Sequence, residues 1–232
     1  MIRFSLGAAF VILILSAQST SAHYAWMTVD DTTGKANLYF EEGPAAGDGR
    51  YLDPFIKRGS MWYHTAKTTK AQKIKMTEVR DGKKRWLNAN VPKTVPRSVD
   101  SSVIWGVYRY GKIDVLLHYY ARHIAVKNRS EFAAVSSAPH LRFSVEPRFA
   151  DGEMVFRLVF DGKPAVGKKV FIRGPGLRQT LTSDKKGEIR LSASKKGRYL
   201  LRAYHQIVGK SGEFEGKKYQ QVRHHSSLIF TL

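Results

Sequence analysis

The 232-residue chain contains no cysteine. This absence excludes disulfide bonds, thiolate metal sites and cysteine nucleophiles, so the folded protein depends on packing alone. After the first residues, no stretch approaches the ~18 apolar residues of a membrane-spanning helix. The Gly-x-Ser-x-Gly and His-Glu-x-x-His motifs and the glycine-rich phosphate and dinucleotide loops are also absent. These absences favour a protein that is not an enzyme.

Residues 1–22 have the order of an export signal. Arg3 precedes the apolar run LGAAFVILIL, and small residues from Ser19 to Ala22 follow it. This order is typical of a cleaved signal peptide, and the apolar run is short for a membrane span. We therefore predict cleavage between Ala22 and His23 and a periplasmic or secreted protein.

The formal net charge of +20 indicates an anionic environment. The basic residues are spread along the chain, and pairs such as Lys185-Lys186 and Lys195-Lys196 lie beside glycines. This distribution is typical of solvated turns, with attraction to an anionic wall polymer as a second interpretation. A nucleic-acid surface would concentrate the charge among exposed aromatic residues, so we expect no nucleic-acid partner.

Short alternating apolar runs between turn signals predict an all-β protein with two sandwich-like domains. Polar residues 128–140 suggest a boundary, so we expect a signal peptide at 1–22, an N-terminal β domain at 23–140 and a C-terminal β-sandwich at 141–232. The spacing of six strand candidates after the boundary is typical of an immunoglobulin-like or transthyretin-like sandwich. Residues 52–57 are expected to form a short helix or turn.

Strand parity sorts the histidines. In the run ending at His205, alternation places Leu201, Ala203 and His205 on the apolar face. In the last strand, His224 shares a face with Leu228 and Phe230, while His225 is expected to be exposed. If the two strands form an antiparallel hairpin, His205 and His224 lie close together, and the connection between them carries Glu213.

These residues suggest a transition-metal site. Imidazole and carboxylate groups without thiolates suit nickel, copper, cobalt or zinc. A terminal His23 would add its α-amine and imidazole, so the predicted ligands are His23, His205, His224 and Glu213. The alternative is a buried, hydrogen-bonded His205–His224 pair that only stabilises the hairpin. For His118 and His123, which flank Tyr119-Tyr120, packing is the preferred interpretation.

Several segments resemble a family of exported bacterial proteins. They are the start HYAWM, the segments NLYFEEGP and VIWGVYRYGKIDVLLHYYA, and the closing pattern Glu213, Gly216, Tyr219, Val222, Arg223 and His224. Members of that family are described by similarity as periplasmic components of nickel or cobalt uptake. The resemblance covers the whole chain after residue 22. It implies export, a β-sandwich at the C-terminal end and metal association, with any membrane transport component as a separate partner.

Three functions follow from these observations. The first is a secreted or periplasmic transition-metal-binding protein, which could serve nickel or cobalt uptake. The second is an extracellular carbohydrate-binding or adhesion module with structural histidines. The third is an oxidative copper enzyme whose histidine brace would need another histidine beside His23.

Overall fold

A computed structural model describes residues 23–68, 70–192 and 195–232. The predicted signal peptide and its cleavage site therefore lie at or beyond the edge of the described residues. The described chain is all-β, which confirms the predicted fold class. Its strands are β1 (Tyr24–Asp30), β2 (Lys35–Glu41), β3 (Ser60–Thr65), β4 (Gln72–Ile74), β5 (Thr77–Asp81), β6 (Lys84–Asn90), β7 (Arg97–Tyr110), β8 (Ile113–Ala125), β9 (Phe143–Ala150), β10 (Glu153–Phe160), β11 (Lys163–Pro164), β12 (Lys169–Gly174), β13 (Leu177–Thr182), β14 (Glu188–Leu191), β15 (Arg198–Phe214) and β16 (Lys217–Thr231).

Helical structure is confined to short connections in the described residues. Helix α1 (Asp53–Arg58) matches the helix or turn expected at 52–57, and Pro54 suits its first turn because proline fixes φ near the helical value. A 3₁₀ turn at Arg129–Glu131 and helix α2 (Phe132–Val135) follow β8. No helix among the described residues is long and apolar enough to cross a membrane.

One eight-stranded sheet runs through the molecule. Its strand order is β13-β12-β15-β16-β8-β7-β3-β4. Strands β16 and β8 are parallel neighbours, with His224 beside His118 and Ser226 beside Tyr120. We call this junction the seam, because β8 belongs to the first half of the chain and β16 to the second. Both halves therefore share one hydrogen-bonded sheet, and the division at residues 140 and 141 remains a prediction.

Two outer sheets cover opposite faces of the central sheet. The sheet β1-β2-β6-β5 packs over the first half, where Leu117 and Tyr119 point into its core with Leu38 and Phe40. The sheet formed by β9, β10, β11 and β14 covers the other face, and Tyr120 belongs to its core. Alternation along β8 thus sends neighbouring tyrosines into different cores. We call these sides the first face and the second face of the central sheet.

A buried ion pair in the first half of the chain lies on the second face and contacts the second half. Arg122 on β8 and Asp100 on β7 are both fully buried, with Arg122 Nε 2.8 Å from an Asp100 carboxylate oxygen. Arg122 also donates to the carbonyls of Ser136 and Val145 at 2.7 and 3.0 Å. His140 Nε2 lies 3.2 Å from the second Asp100 oxygen. These contacts attach the connection between the halves and β9 to the central sheet.

Candidate functional site

His205 and His224 are direct partners across the antiparallel pair β15 and β16. This confirms the predicted adjacency, which followed from strand parity. Their ring centroids lie 6.4 Å apart, on the second face of the central sheet. The ring of Phe160 stacks on His205 at 4.1 Å and meets His224 edge-on at 4.9 Å. An apolar side chain therefore covers the pair.

A third histidine continues this line across the seam. His118 on β8 is beside His224 in the parallel register, and their rings stack at 4.5 Å with an interplanar angle of 28°. We call His205, His224 and His118 the three-histidine row. Tyr120 lies on the same face, with its hydroxyl 3.0 Å from His224 Nδ1. Three imidazoles and one phenol thus occupy neighbouring positions on three adjacent strands.

Burial keeps the row uncharged. Desolvation lowers the pKa of His224 to about 2, with neighbouring His118 and Arg142 contributing in the same direction. Desolvation also lowers the pKa of His118 to about 4 and lowers that of His205. Neutral imidazoles offer lone pairs, and the buried nitrogens His224 Nε2 and His205 Nδ1 have no hydrogen-bond partner among the described residues. The row is thus a cluster of incompletely satisfied, uncharged nitrogen groups.

The described residues nevertheless contain no group of three or more His, Asp or Glu side chains arranged to hold a metal ion. The stacked rings of His118 and His224 present their faces to each other rather than directing lone pairs at one point. A common ion at ~2.0–2.1 Å from each nitrogen requires convergent lone pairs, so side-chain rotation would be needed. The metal assignment from sequence remains a prediction.

The structure does not bring His23 and Glu213 to this row. The His23 ring contacts Phe40 and Tyr51, which places it with the core on the first face. Glu213 is exposed near the end of the long β15–β16 hairpin, beside Lys218, roughly 25 Å along the strand from His205 at the usual rise per residue. The four predicted ligands are therefore in three separate places. Strand parity predicts which face of a sheet a residue lies on. It does not predict which distant residues lie beside it on that face.

His225 corrects another expectation. Strand alternation places His225 opposite the core-side His224 and so predicts an exposed ring, but only 5% of its surface is accessible. Strand β1 covers this part of the first face, and its Tyr24 meets the His225 ring edge-on at 5.2 Å. The His225 ring also stacks on Tyr119 of β8 at 4.8 Å. His118 and His123 are both 8% exposed, in agreement with the preference for packing.

The ring contacts of His23 bear on the histidine-brace hypothesis. They involve Phe40 and Tyr51, and its nearest carboxylate is Glu41, with His23 Nε2 3.8 Å from Glu41 Oε2. Among the described residues, none of these partners is the second histidine that a copper brace requires. Copper-dependent oxidative chemistry at His23 therefore stays a prediction without a geometric basis.

A cleft lies beside His23 on the first face. Its volume is about 390 Å³, and it is lined mainly by aromatic side chains. We call it the aromatic cleft and define it by His23, Phe40, Tyr51, Trp105, Tyr108, Arg109, Tyr110, Gly111, Leu117 and Tyr119. Tyr51, Tyr108 and Tyr110 are 36%, 45% and 39% exposed, so their rings are accessible to a ligand.

The aromatic rings form a continuous chain of contacts. Tyr51 meets His23 at 5.2 Å and Trp105 at 6.2 Å. Trp105 meets Tyr108 at 6.2 Å, and Tyr108 meets Tyr110 at 4.9 Å. These edge-to-face pairs present ring faces in several directions along one surface.

A β-bulge produces this arrangement. The register of β7 against β8 shifts between Ile104 and Gly106, where Gly106 has φ +131°. The shift places Tyr108 and Tyr110 on the same face as Trp105. Strict alternation would put both tyrosines on the face opposite Trp105. An isolated glycine within the strand pattern VIWGVYRY is the sequence signal for such a bulge. Alternation alone predicts a regular strand in this segment and gives no indication of the cleft.

The bulge is held in place by polar contacts. Arg58 from α1 donates to the carbonyls of Ile104 and Trp105 at 2.5 and 2.7 Å. The Trp105 indole donates to the Tyr51 carbonyl at 3.1 Å. No carboxylate, serine or threonine is among the lining residues of the described cleft. This chemistry suits binding of a ligand with apolar faces and hydroxyl groups.

Comparison with known proteins identifies no family. No family model matches the chain, and no curated protein does. Among solved structures, the D0-D1 domain of intimin is 10% identical at a TM-score of 0.21, covering 90% of this chain and 97% of that one. A 1.5-MDa bacterial ice-binding adhesin is 12% identical at a TM-score of 0.20, and the match covers 90% of this chain and 64% of that one. The chicken CNTN1 FN1-FN3 domains are 7% identical at a TM-score of 0.20, and the match covers 88% of this chain and 66% of that one.

Proposed function

We propose that this protein is a carbohydrate-binding module without enzymatic activity, and that the aromatic cleft is its binding site. One observation carries the proposal: Tyr51, Trp105, Tyr108 and Tyr110 form a connected aromatic surface, in which the three tyrosines are exposed and Trp105 is partly buried. Sugar rings have apolar C–H faces, which pack on aromatic rings, and hydroxyl groups, which need polar partners. Pockets that bind such ligands combine an aromatic lining with a few well-placed polar groups.

The cleft also contains those polar groups. Its lining residues include His23, with an imidazole, and Tyr51, Tyr108 and Tyr110, with phenol hydroxyls. Arg109 lies between Tyr108 and Tyr110 in the strand, but alternation directs its side chain to the opposite face, where it donates two hydrogen bonds to the Asp114 carboxylate at 2.7 and 2.8 Å. The Arg58 contacts fix the bulge below Trp105, so the aromatic surface is arranged before a ligand arrives. Such preorganisation lowers the entropic cost of binding.

The test is titration of the chain from His23 with a panel of neutral cello-, xylo- and chito-oligosaccharides by isothermal calorimetry. We expect binding to at least one of them. Trp105→Ala and Tyr108→Ala should each weaken it about tenfold or more, because each removes a ring face. Trp86→Ala is the matched control, since Trp86 is half-buried on a different sheet and donates to Asn37. An unchanged affinity for both cleft variants, or no binding to any neutral or acidic saccharide, would contradict the proposal.

Transition-metal binding is a second candidate function, and the three-histidine row favours it. Two buried imidazole nitrogens, which have no hydrogen-bond partner in the part of the chain that the structure describes, lie on adjacent strands, and His118 stacks on His224 beside them. Rotation of His118 or His205 would be needed to make the lone pairs converge. Nickel, copper, cobalt and zinc are the ions that this donor set suits. A role in metal uptake would additionally require a membrane transport partner.

Metal titration distinguishes this candidate. If it is right, His224→Ala and His118→Ala each lose at least tenfold in affinity for one of the four ions, while His64→Ala does not change it. His64 is the matched control because it lies on β3, away from the row, with its Nε2 2.9 Å from the Thr68 carbonyl oxygen. Equal affinities for all forms would make the row purely structural.

A further inference from the structure

The second half of the central sheet has an open surface on its first face. Strands β13 and β12 lie beyond the cover of β1, and β15 lies at its edge, where Leu200 packs against the cluster of Tyr24, Trp26 and Ile229. The side chains of this surface are basic, hydroxylic or apolar. We call this surface the arginine face. Its members are Arg178, Thr180, Thr182, Lys169, Phe171, Arg173, Leu200, Arg202 and Tyr204.

Two arginines on this face are placed directly opposite each other. Arg173 on β12 and Arg178 on β13 are cross-strand partners, and both are exposed. Directly opposed side chains lie about 4.5–5.5 Å apart at Cβ, and like charges in such positions destabilise a sheet. Neither arginine forms an ion pair with a carboxylate among the described residues. An anion bound between the two guanidinium groups would relieve this repulsion.

Aromatic rings hold the neighbouring guanidinium groups in place. Arg202 lies over Phe171 at 4.6 Å and over Tyr24 at 5.0 Å, and Arg178 lies over Phe171 at 5.6 Å. Cation–π stacking leaves the edge of a guanidinium plane, with its N–H donors, free to bind a carboxylate by two hydrogen bonds. Arg202 has no carboxylate partner among the described residues either. Aromatic contacts thus orient Arg178 and Arg202.

The arginine face is continuous with the aromatic cleft. Arg223 on β16 stacks over Tyr204 at 5.5 Å, on the arginine face, and over Tyr110 at 4.9 Å, in the cleft. One ligand chain could therefore contact both surfaces.

We propose that the ligand is an acidic polysaccharide: its sugar rings pack in the aromatic cleft, and its carboxylate or sulfate groups bind the arginine face. The inference rests on the proposed carbohydrate-binding function and names the ligand class. Charge complementarity carries it, since the net charge is +20 and no acidic side chain is among the described members of the face. A surface that crosses several strands suits an extended chain, and arginines at several points suit repeated charges.

The experiment measures binding of the chain from His23 to polygalacturonate, alginate and heparin, with highly methyl-esterified polygalacturonate as an uncharged match to the first. The test variants are Arg173→Gln/Arg178→Gln and the same pair with Arg202→Gln. The double variant changes only exposed side chains, so it keeps the test valid if the triple variant does not fold. The charge-matched control is Arg157→Gln/Lys163→Gln/Lys185→Gln, three exposed positions in the second half that lie outside the arginine face.

We expect at least one acidic polymer to bind. Its affinity should fall tenfold or more in the triple variant and about threefold or more in the double variant. In the charge-matched control the affinity should change less than twofold. Esterified polymer should bind more weakly than polygalacturonate and respond little to the arginine variants. Failure of all three acidic polymers, equal loss in the charge-matched control, or equal arginine-dependent binding of duplex DNA or phosphatidylglycerol vesicles would overturn the inference.

Failure of the inference and failure of the proposed function are distinguishable. Neutral oligosaccharide binding that depends on Trp105, without a preference for acidic polymers, would remove only the acidic-ligand inference. Arginine-dependent binding of acidic polymers that Trp105→Ala does not change would overturn the cleft as the sugar site and leave the arginine face as a polyanion site.

Discussion

His118 and His224 stack across the parallel seam between β8 and β16, with ring centroids 4.5 Å apart. Tyr119 and His225, the next residues along the same two strands, stack on the opposite face with ring centroids 4.8 Å apart. Both sides of the seam are therefore packed with flat rings, and the imidazoles among them are removed from water. The junction between the two halves consequently depends on histidines that remain neutral.

Acid should destabilise the fold. Burial, followed in size by the nearby charge of Arg97, lowers the pKa of His123 to about 4, below the unfolded value near 6.5. Asp31 and Arg198 also lie near this ring. A lowered histidine pKa means that the unfolded chain binds the proton first, so stability is fully present above pH 6.5 and falls as the pH decreases towards 4. Each such histidine contributes a slope of up to about 1.4 kcal/mol per pH unit in that window.

His123→Phe tests this account by urea unfolding at pH 7.5, 6.5, 5.5 and 4.5. Removal of the imidazole should reduce the slope of stability against pH by about 1.4 kcal/mol per unit between pH 6 and 4.5. Val99→Ala, at the cross-strand partner position, is the control, because it should lower stability at every pH without changing the slope. Equal slopes for wild type and His123→Phe would show that this histidine is not the acid-sensitive group.

Asp100→Asn should cost about 3–5 kcal/mol of unfolding free energy. Burial alone would raise the pKa of the Asp100 carboxyl, but Arg122 and His140 together hold it below its ordinary value. The substitution leaves the Arg122 guanidinium fully buried without its anionic partner. Denaturant unfolding at pH 7 measures the loss.

Asp161→Asn provides a surface comparison for that experiment. Asp161 forms a two-bond ion pair with Arg142, but both side chains are nearly half exposed, so the loss should be at most about 1 kcal/mol. Similar small losses for both variants would show that the Asp100–Arg122 pair does not stabilise the connection between the halves.

The period-2 alternation allowed the local fold to be predicted from the sequence. Leu201 and His205 share the second face, and His224 shares it with Phe230, as alternation requires. Antiparallel hairpin geometry then brought His205 and His224 together. Each step depended only on residues near one another in the chain, where strand parity and turn chemistry are informative.

Features that depend on distant pairing were not predictable in this way. His118 joins the row because β16 pairs with β8, about a hundred residues away, and nothing in either strand specifies a parallel neighbour. His225 is buried because β1 crosses above it. The aromatic cleft depends on the bulge at Gly106, which reverses the parity of Tyr108 and Tyr110. Local patterns indicate faces, whereas tertiary contacts decide what covers them.

Gly106→Ala should disturb the cleft more than the fold. An added Cβ has space, with Arg58 Nη2 3.5 Å away, but φ +131° is a conformation that residues with a side chain rarely adopt. The strain should cost about 1–3 kcal/mol or be relieved by removing the bulge. In the second case Trp105 moves relative to Tyr108, and oligosaccharide affinity falls.

Gly82→Ala is the control for this glycine, because it also has a positive φ, +56°, but lies in a hairpin turn with open space around it. It should cost about 1 kcal/mol and leave ligand affinity unchanged. Stability and oligosaccharide titrations are compared for both variants. Wild-type affinity in Gly106→Ala would show that the bulge does not organise the cleft.

Metal binding at the three-histidine row, if it occurs, should be independent of what precedes His23. His23 lies against Phe40 and Tyr51 on the first face, whereas His224 lies against Phe160 on the second, so the sheet separates them. A protein that begins at His23 and one with an alanine inserted before it should bind nickel, copper or zinc at the row with affinities within a factor of two. His224→Ala in either background should lose at least tenfold. Calorimetric titration of the four proteins decides the matter: a substantial loss caused by the added alanine alone would mean that the metal is held by the His23 amine, and that the row has no part in it.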